Sequence, residues 1–221
     1  MNDLDLLLDD GPLIAVNKPA GIPTQSPTPP SLDHSVREWI RQETGKPGQV
    51  YLGIPHRLDR PVSGVVTFAR NSKCAARLAE QFAERQVKKT YWGLLEGVLP
   101  QKRGMLVDRL RKNPLSKKTE IVDDEDELEG TQEARLLYRI LETFSEHESG
   151  PRTLVEIELI TGRMHQIRIQ FGSRGFPVVG DTLYGSQTQL EPLDRNDDGS
   201  RPIFLHAREL KLQHPIRYDE L

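Results

Sequence analysis

The sequence predicts an α+β fold, a single domain over residues 1–221 with a central mixed, mostly antiparallel β-sheet flanked by helices and loops. Short β-branched and apolar runs suited to hairpins outnumber the stretches with helical spacing. No segment repeats, and 221 residues suffice for one sizeable core or for a core with an inserted arm.

Residues 1–10 are acidic and leucine-rich and are expected to pack as an edge or to fray. Leu13-Ile14-Ala15-Val16-Asn17 is a short apolar strand that stops at Lys18-Pro19-Ala20-Gly21. A proline-rich loop, Thr24 to Pro30, precedes Ser31, which is placed to cap a helix with the face Leu32, Val36, Trp39 and Ile40, ending near Gly45. Gly64 to Ala69 reads as a strand. Asn71 or Ser72 then caps a helix carrying Ala75, Leu78, Ala79 and Phe82. Lys88 to Gly97 is a strand entered from a basic corner. Residues 100–120 hold many cations and little periodicity, so an exposed basic arm or hairpin is expected there, with a solvated acidic loop over 123–130. Ala134 to Leu141 and Leu154 to Ile160 are further strands, the second alternating cleanly. Met164, Ile167 and Phe171 predict a helix over Arg163 to Ser173. Phe176 to Asp181 is a buried turn, Gln187 to Arg201 a polar loop, and Phe204 to Leu212 a final strand.

Composition excludes some classes of function. The apolar fraction is 36% and the mean hydropathy −0.57, as in a rather polar globular protein. No apolar run approaches the ~20 residues of a membrane helix, and no signal peptide opens the chain, so no membrane association is expected. The single cysteine, Cys74, rules out an internal disulfide and a cysteine-based zinc site, which points to the reducing cytoplasm. Net charge is −3, but the signs are segregated. Acid gathers over 123–129 and 194–198, base over 102–118 and at Arg163, Arg168 and Arg174. Separated charge leaves nucleic-acid binding open.

The chemistry centres on Pro55 to Gly64, a charged, proline-interrupted turn feeding the Gly64 strand. Pro61 fixes its own φ and pushes Arg60 toward extended backbone, so Asp59 is held in a defined direction. By itself the pattern also suits a surface loop whose Asp pairs with nearby arginines.

Three stretches together resemble the RluA-type pseudouridine synthases. His56-Arg57-Leu58-Asp59 with Ser63-Gly64 is similar to that family's catalytic-aspartate segment, with Val62 where Thr is expected. Lys89-Thr90-Tyr91 is similar to its K-x-Y segment, and Gly162-Arg163-Met164-His165-Gln166-Ile167-Arg168 to its G-R-x-H-Q-I-R segment, with Gln170 where His is frequent. Weaker echoes are Asn17 to Gly21, Gly180-Asp181 with Tyr184-Gly185, and Leu205-His206-Ala207. The S4-type RNA-binding domain that often precedes this family's catalytic segments is expected to be absent.

The resemblance implies an isomerase that cleaves the N1–C1′ bond of a flipped uridine in tRNA or rRNA, turns the base and rejoins it through C5. The reaction is redox-neutral and loses no group, so neither cofactor nor metal is expected. It implies Asp59 as the catalytic carboxylate, with attack on C1′, addition to C6 and help in C2′ deprotonation all open. It implies Arg168 as the cation that keeps a carboxylate ionised, and Tyr91 as the shelf for the uracil. Arg57 is expected to fill the space left by the flipped base or to hold neighbouring phosphates, Leu205 to close the pocket, and Lys89 and Arg163 to contact RNA together with Lys88 and the basic arm. His56 and His165 are read as structural. No obligate protein partner is expected, and the chain is read as a monomer. The rivals are an inactive RNA-binding module of the same fold and a hydrolase using Ser63, which lacks a G-x-S-x-G elbow.

Overall fold

The computed structural model describes the chain except for residues 1–3, 46–47, 115–117, 124–125, 127, 147–149, 192–200, 218 and 220. Among the described residues are nine strands, three α-helices and one short 3-10 turn, the α+β class expected. The chain forms two compact units, one of 1–88 with 192–201 and 207–221, the other of 89–191 with 202–206.

In the first unit, β1 (Leu6–Asp10) pairs antiparallel with β2 (Leu13–Lys18), which pairs antiparallel with β3 (Ser63–Ala69). The register sets Leu13 opposite Ala69 and Lys18 opposite Gly64, which brings the end of β2 beside the start of β3. β9 (Leu205–Lys211) adds its residues from Ala207 onward to this unit.

Helix α1 (Leu32–Thr44) follows the predicted spacing, burying Leu32, Val36 and Ile40. It stops where Gly45 turns left-handed and its N–H reaches the Arg41 carbonyl. The Ser31 side chain does not cap it, and Oγ bonds instead to Asp33 Oδ1 at 2.5 Å. Helix α2 (Ser72–Ala83) is capped by Asn71, whose Oδ1 accepts the Cys74 N–H. Its inner face packs Cys74 and Leu78 with Leu13, Ala69, Val87 and Leu212 into a core.

The second unit runs in the strand order β4 (Lys88–Glu96), β8 (Arg152–Leu159), β7 (Gln132–Phe144), β5 (Arg103–Lys112), β6 (Thr119–Val122), every pairing antiparallel. β8 alternates as its sequence predicts, with Val155 and Ile157 buried between half-exposed Glu156 and Glu158. The segment over 100–120 forms a hairpin, but β5 is built into the sheet, Arg103 to Leu110 pairing with β7 and Arg109 to Lys112 with β6. Leu115 to Lys117 lie outside the described residues, as do Asp124, Glu125 and Glu127 of the acidic loop and the second acidic cluster at 194–198. Asp123, Asp126 and Glu129 of the acidic loop are exposed.

Helix α3 (Gln166–Gly172) starts three residues later than its apolar spacing suggests. His165 sits at φ +52, a left-handed value that cannot propagate a right-handed helix, and Met164 faces solvent. Gln166 closes the corner, its Oε1 accepting from Thr161 Oγ1 and from the Arg163 N–H. Phe171 of α3 meets Tyr138 of β7 edge-to-face at 5.6 Å.

Candidate active site

Asp59 lies half-buried in the turn between Leu58 and Val62, and the backbone around it is clamped from several sides. Thr24 Oγ1 accepts the Leu58 N–H at 3.1 Å and donates to the Leu58 carbonyl at 3.0 Å. The Asp59 carbonyl accepts the Val62 N–H at 3.1 Å, closing the turn. The Arg60 carbonyl accepts the Gly21 N–H at 2.9 Å, and Arg60 Nε donates back to the Gly21 carbonyl at 2.6 Å. A carboxylate carried on such a turn keeps its direction without ordering cost at the moment of reaction. Gly64 then starts β3 at φ +121, and a Cβ there would lie 2.3 Å from the Ala207 carbonyl oxygen, so only glycine lets the two backbones meet.

Lys18 is the largest fully buried side chain associated with this turn. Its ammonium donates to three carbonyls, Pro19 at 2.9 Å, Ile22 at 2.7 Å and Arg60 at 3.1 Å. Three acceptors match the three hydrogens of a charged amine. Burial pushes Lys18 down to about 7, while the negative charge of Asp59 pulls it up and Arg60 lowers it further. The turn thus contains a caged cation electrostatically linked to the candidate carboxylate.

In the second unit, Arg168 of α3 is buried rather than displayed on the helix surface. Its Nε and one terminal nitrogen donate to the two oxygens of buried Asp181 at 2.6 and 2.9 Å, a bidentate fork. Its Cζ stands 5.1 Å from the centroid of the Tyr184 ring. Asp181 and Tyr184 come from the segment of the 3-10 turn Thr182–Tyr184, which Glu96 of β4 anchors by accepting from Ser186 Oγ and the Gln187 and Thr188 N–H groups. Burial pushes Glu96 up, but these hydrogen bonds outweigh it and leave the carboxyl below its usual range.

The RNA pseudouridylate synthase family model matches residues 12–173. The chain belongs to this family. An uncharacterised RNA pseudouridine synthase of Bacillus subtilis (strain 168) is 33% identical over 228 residues, covering 99% of this chain and 67% of the relative. A tRNA pseudouridine synthase C of Haemophilus influenzae is 33% identical over 225 residues, covering 99% of this chain and 90% of the relative. Among solved structures, human RNA pseudouridylate synthase domain containing 4 superposes with a TM-score of 0.76 at 26% identity, covering 98% of this chain and 85% of that one. The RluA-type resemblance of the motifs therefore holds, and the chain is an RNA pseudouridine synthase by class, an isomerase.

The other residues that pseudouridine synthase motifs single out fall in defined places. Tyr91 is half-buried on β4, opposite Ile157 of β8. Leu205 is buried, its Cδ1 in van der Waals range of the space above Gly93 on β4. Lys89 extends its Nζ beside Gly162, 3.1 Å from the position a Cβ would take there. Arg163 directs Nε to the Glu133 carbonyl at 3.0 Å. Arg57 is exposed. His56 stacks on Phe82 at 4.4 Å and its Nε2 accepts the Thr67 N–H, the structural use expected of it. Val62, where the resemblance led us to expect Thr, is buried. Gln170 donates Nε2 to Asp108 at 2.7 Å.

Two roles escaped the sequence reading. Lys18 and Asp181 both stand in the weaker echoes, Asn17 to Gly21 and Gly180-Asp181. The signal was a charged residue beside glycine or proline at the edge of an apolar run, a place where burial forces a partner.

Among the described residues no helix is long and apolar enough to cross a membrane.

Proposed function

We propose that residues 1–221 act as one catalytic domain that converts specific uridines of tRNA or rRNA to pseudouridine, with Asp59 as the reacting carboxylate. The observation that carries this reading is the Asp59 turn, whose backbone is bonded at Leu58, Asp59 and Arg60 and whose charge is matched by the caged Lys18 ammonium. In this reading the target base leaves its stack, Arg57 takes its place, and Tyr91 supports the ring while it turns. Arg168 supplies permanent positive charge that favours the ionised carboxylate, and Leu205 covers the uracil. Lys89, Arg163 and the cations of the β5–β6 hairpin hold phosphates. C5 loses its hydrogen to solvent as C1′ bonds to it, and N1 gains one, so atoms balance without a cofactor. The name of the Haemophilus relative favours tRNA as the substrate. The enzyme works as a cytoplasmic monomer without an obligate protein partner.

The test is RNA from cells lacking this gene, labelled with tritium at uridine C5. The wild-type protein should release the label to water, and Asp59→Asn should release none while binding RNA within about tenfold of wild type, ~1.4 kcal/mol. Binding without release by the wild type, on tRNA and rRNA alike, would favour the inactive RNA-binding module.

A further inference from the structure

Asp181 holds the Arg168 guanidinium along one edge, through two bonds in the plane of the fork. An edge grip fixes position within that plane more firmly than it fixes the tilt of the plane. The Tyr184 ring lies against the guanidinium, 5.1 Å from centroid to Cζ, and restrains that tilt. Tyr184 is itself immobilised. Its hydroxyl accepts the Thr119 N–H at 3.1 Å and meets His165 Nδ1 at 2.8 Å. Its backbone presses on α3 so closely that a Cβ at Gly172 would lie 2.5 Å from the Tyr184 carbonyl oxygen. Thr119 is the first residue of β6, and its Oγ1 donates to the Met164 carbonyl at 2.8 Å, tying the hairpin to the corner that launches α3.

We infer that Tyr184 is a positioning residue for the isomerisation, its ring setting the tilt of Arg168 and its hydroxyl, held by Thr119 of the β5–β6 hairpin and by His165, setting the ring. The inference rests on the function proposed above, in which Arg168 serves the reacting carboxylate. Any buried tyrosine needs its hydroxyl satisfied, but one that only filled space would not need to face a buried cation. The arrangement also joins the basic hairpin to the arginine through one side chain.

Three substitutions at position 184 test it, with single-turnover tritium release at saturating enzyme reporting the chemical step and filter binding reporting RNA affinity. Tyr184→Phe keeps the ring and should stay within about threefold of the wild-type rate, whereas Tyr184→Leu should fall about tenfold or more, both with Kd within about twofold. Pentafluorophenylalanine at 184 keeps the shape but reverses the electrostatics of the ring face, so it remains informative if the leucine variant does not fold. It should react markedly more slowly than the Phe variant at equal RNA affinity and equal Tm. Equal rates for the fluorinated and plain rings, or rate losses matched by losses in affinity, would overturn the inference. An active wild type with unaffected variants sinks this inference alone, and an inactive wild type sinks the proposed function with it.

Discussion

The Lys18 ammonium donates to the Arg60 carbonyl at 3.1 Å, joining the end of β2 to the turn of Asp59 across 42 positions of sequence. Pro19 and Ile22 complete the set of acceptors. A fully buried amine is a structural commitment, since its removal takes a donor from three carbonyls at once, of which that of Arg60 keeps the Gly21 N–H.

The same group gives stability a pH dependence of definite sign. Lys18 has a value near 10.5 in the unfolded chain and about 7 in the fold. Between the two the unfolded state binds more protons, so this group's contribution to stability rises with pH over that window and is flat below about 7. Urea unfolding of the wild type and of Lys18→Met at pH 7 and 9 checks it. The wild-type free energy minus that of the variant should grow by roughly 2 kcal/mol over that interval. A difference that stays flat would show the amine remaining charged throughout.

Gly64→Ala should unfold or strongly destabilise the first unit. The substitution imposes a side chain at φ +121 and drives its Cβ to 2.3 Å from a backbone oxygen, which no rotamer can relieve. A loss of about 3 kcal/mol or more is expected by chemical denaturation. A loss under about 1 kcal/mol would mean that β3 and the chain at Ala207 separate easily.

Asp181→Asn removes the charge that balances a buried guanidinium while keeping the shape. Uncompensated buried charge makes this costly, about 3–5 kcal/mol, against well under 1 kcal/mol for an exposed pair such as Arg135 with Glu133. Comparing thermal unfolding of Asp181→Asn with that of Glu133→Gln measures the contrast. Equal shifts would show that the fork is dispensable.

If the hairpin grips phosphates, its exposed cations set the salt response. Removing Lys112, exposed at the end of β5, should lower the slope of log affinity against log salt by about 0.7–0.9. The effect should be the same on every RNA tested, because a phosphate contact carries no sequence information. An unchanged slope would place the hairpin off the RNA.

Much of the fold was legible because local rules and packing agree in it. Alternation in Val155 to Leu159, the stop at Gly45 and the Asn71 cap each follow from a side chain's own preference, and the structure keeps them. The stiffness of the Asp59 turn was legible from Pro61, and the structure shows that turn bonded at Leu58, Asp59 and Arg60. Lys18 was not, because a lysine ending a strand ordinarily reaches water, and its acceptors come from Pro19, Ile22 and distant Arg60. The start of α3 was missed for a different reason. Apolar spacing registers Met164, Ile167 and Phe171 but carries no trace of the φ of His165. Nor does spacing reveal that the carboxylate gripping Arg168 arrives 13 residues later, behind a turn.

Cys74 is fully buried in the α2 core, and burial raises its thiol to about 11. As the sole cysteine of the chain, it acts as a silent alarm within the sequence. A maleimide dye finds no thiolate until that core comes apart, so the labelling rate times the opening of the first unit without any engineered probe.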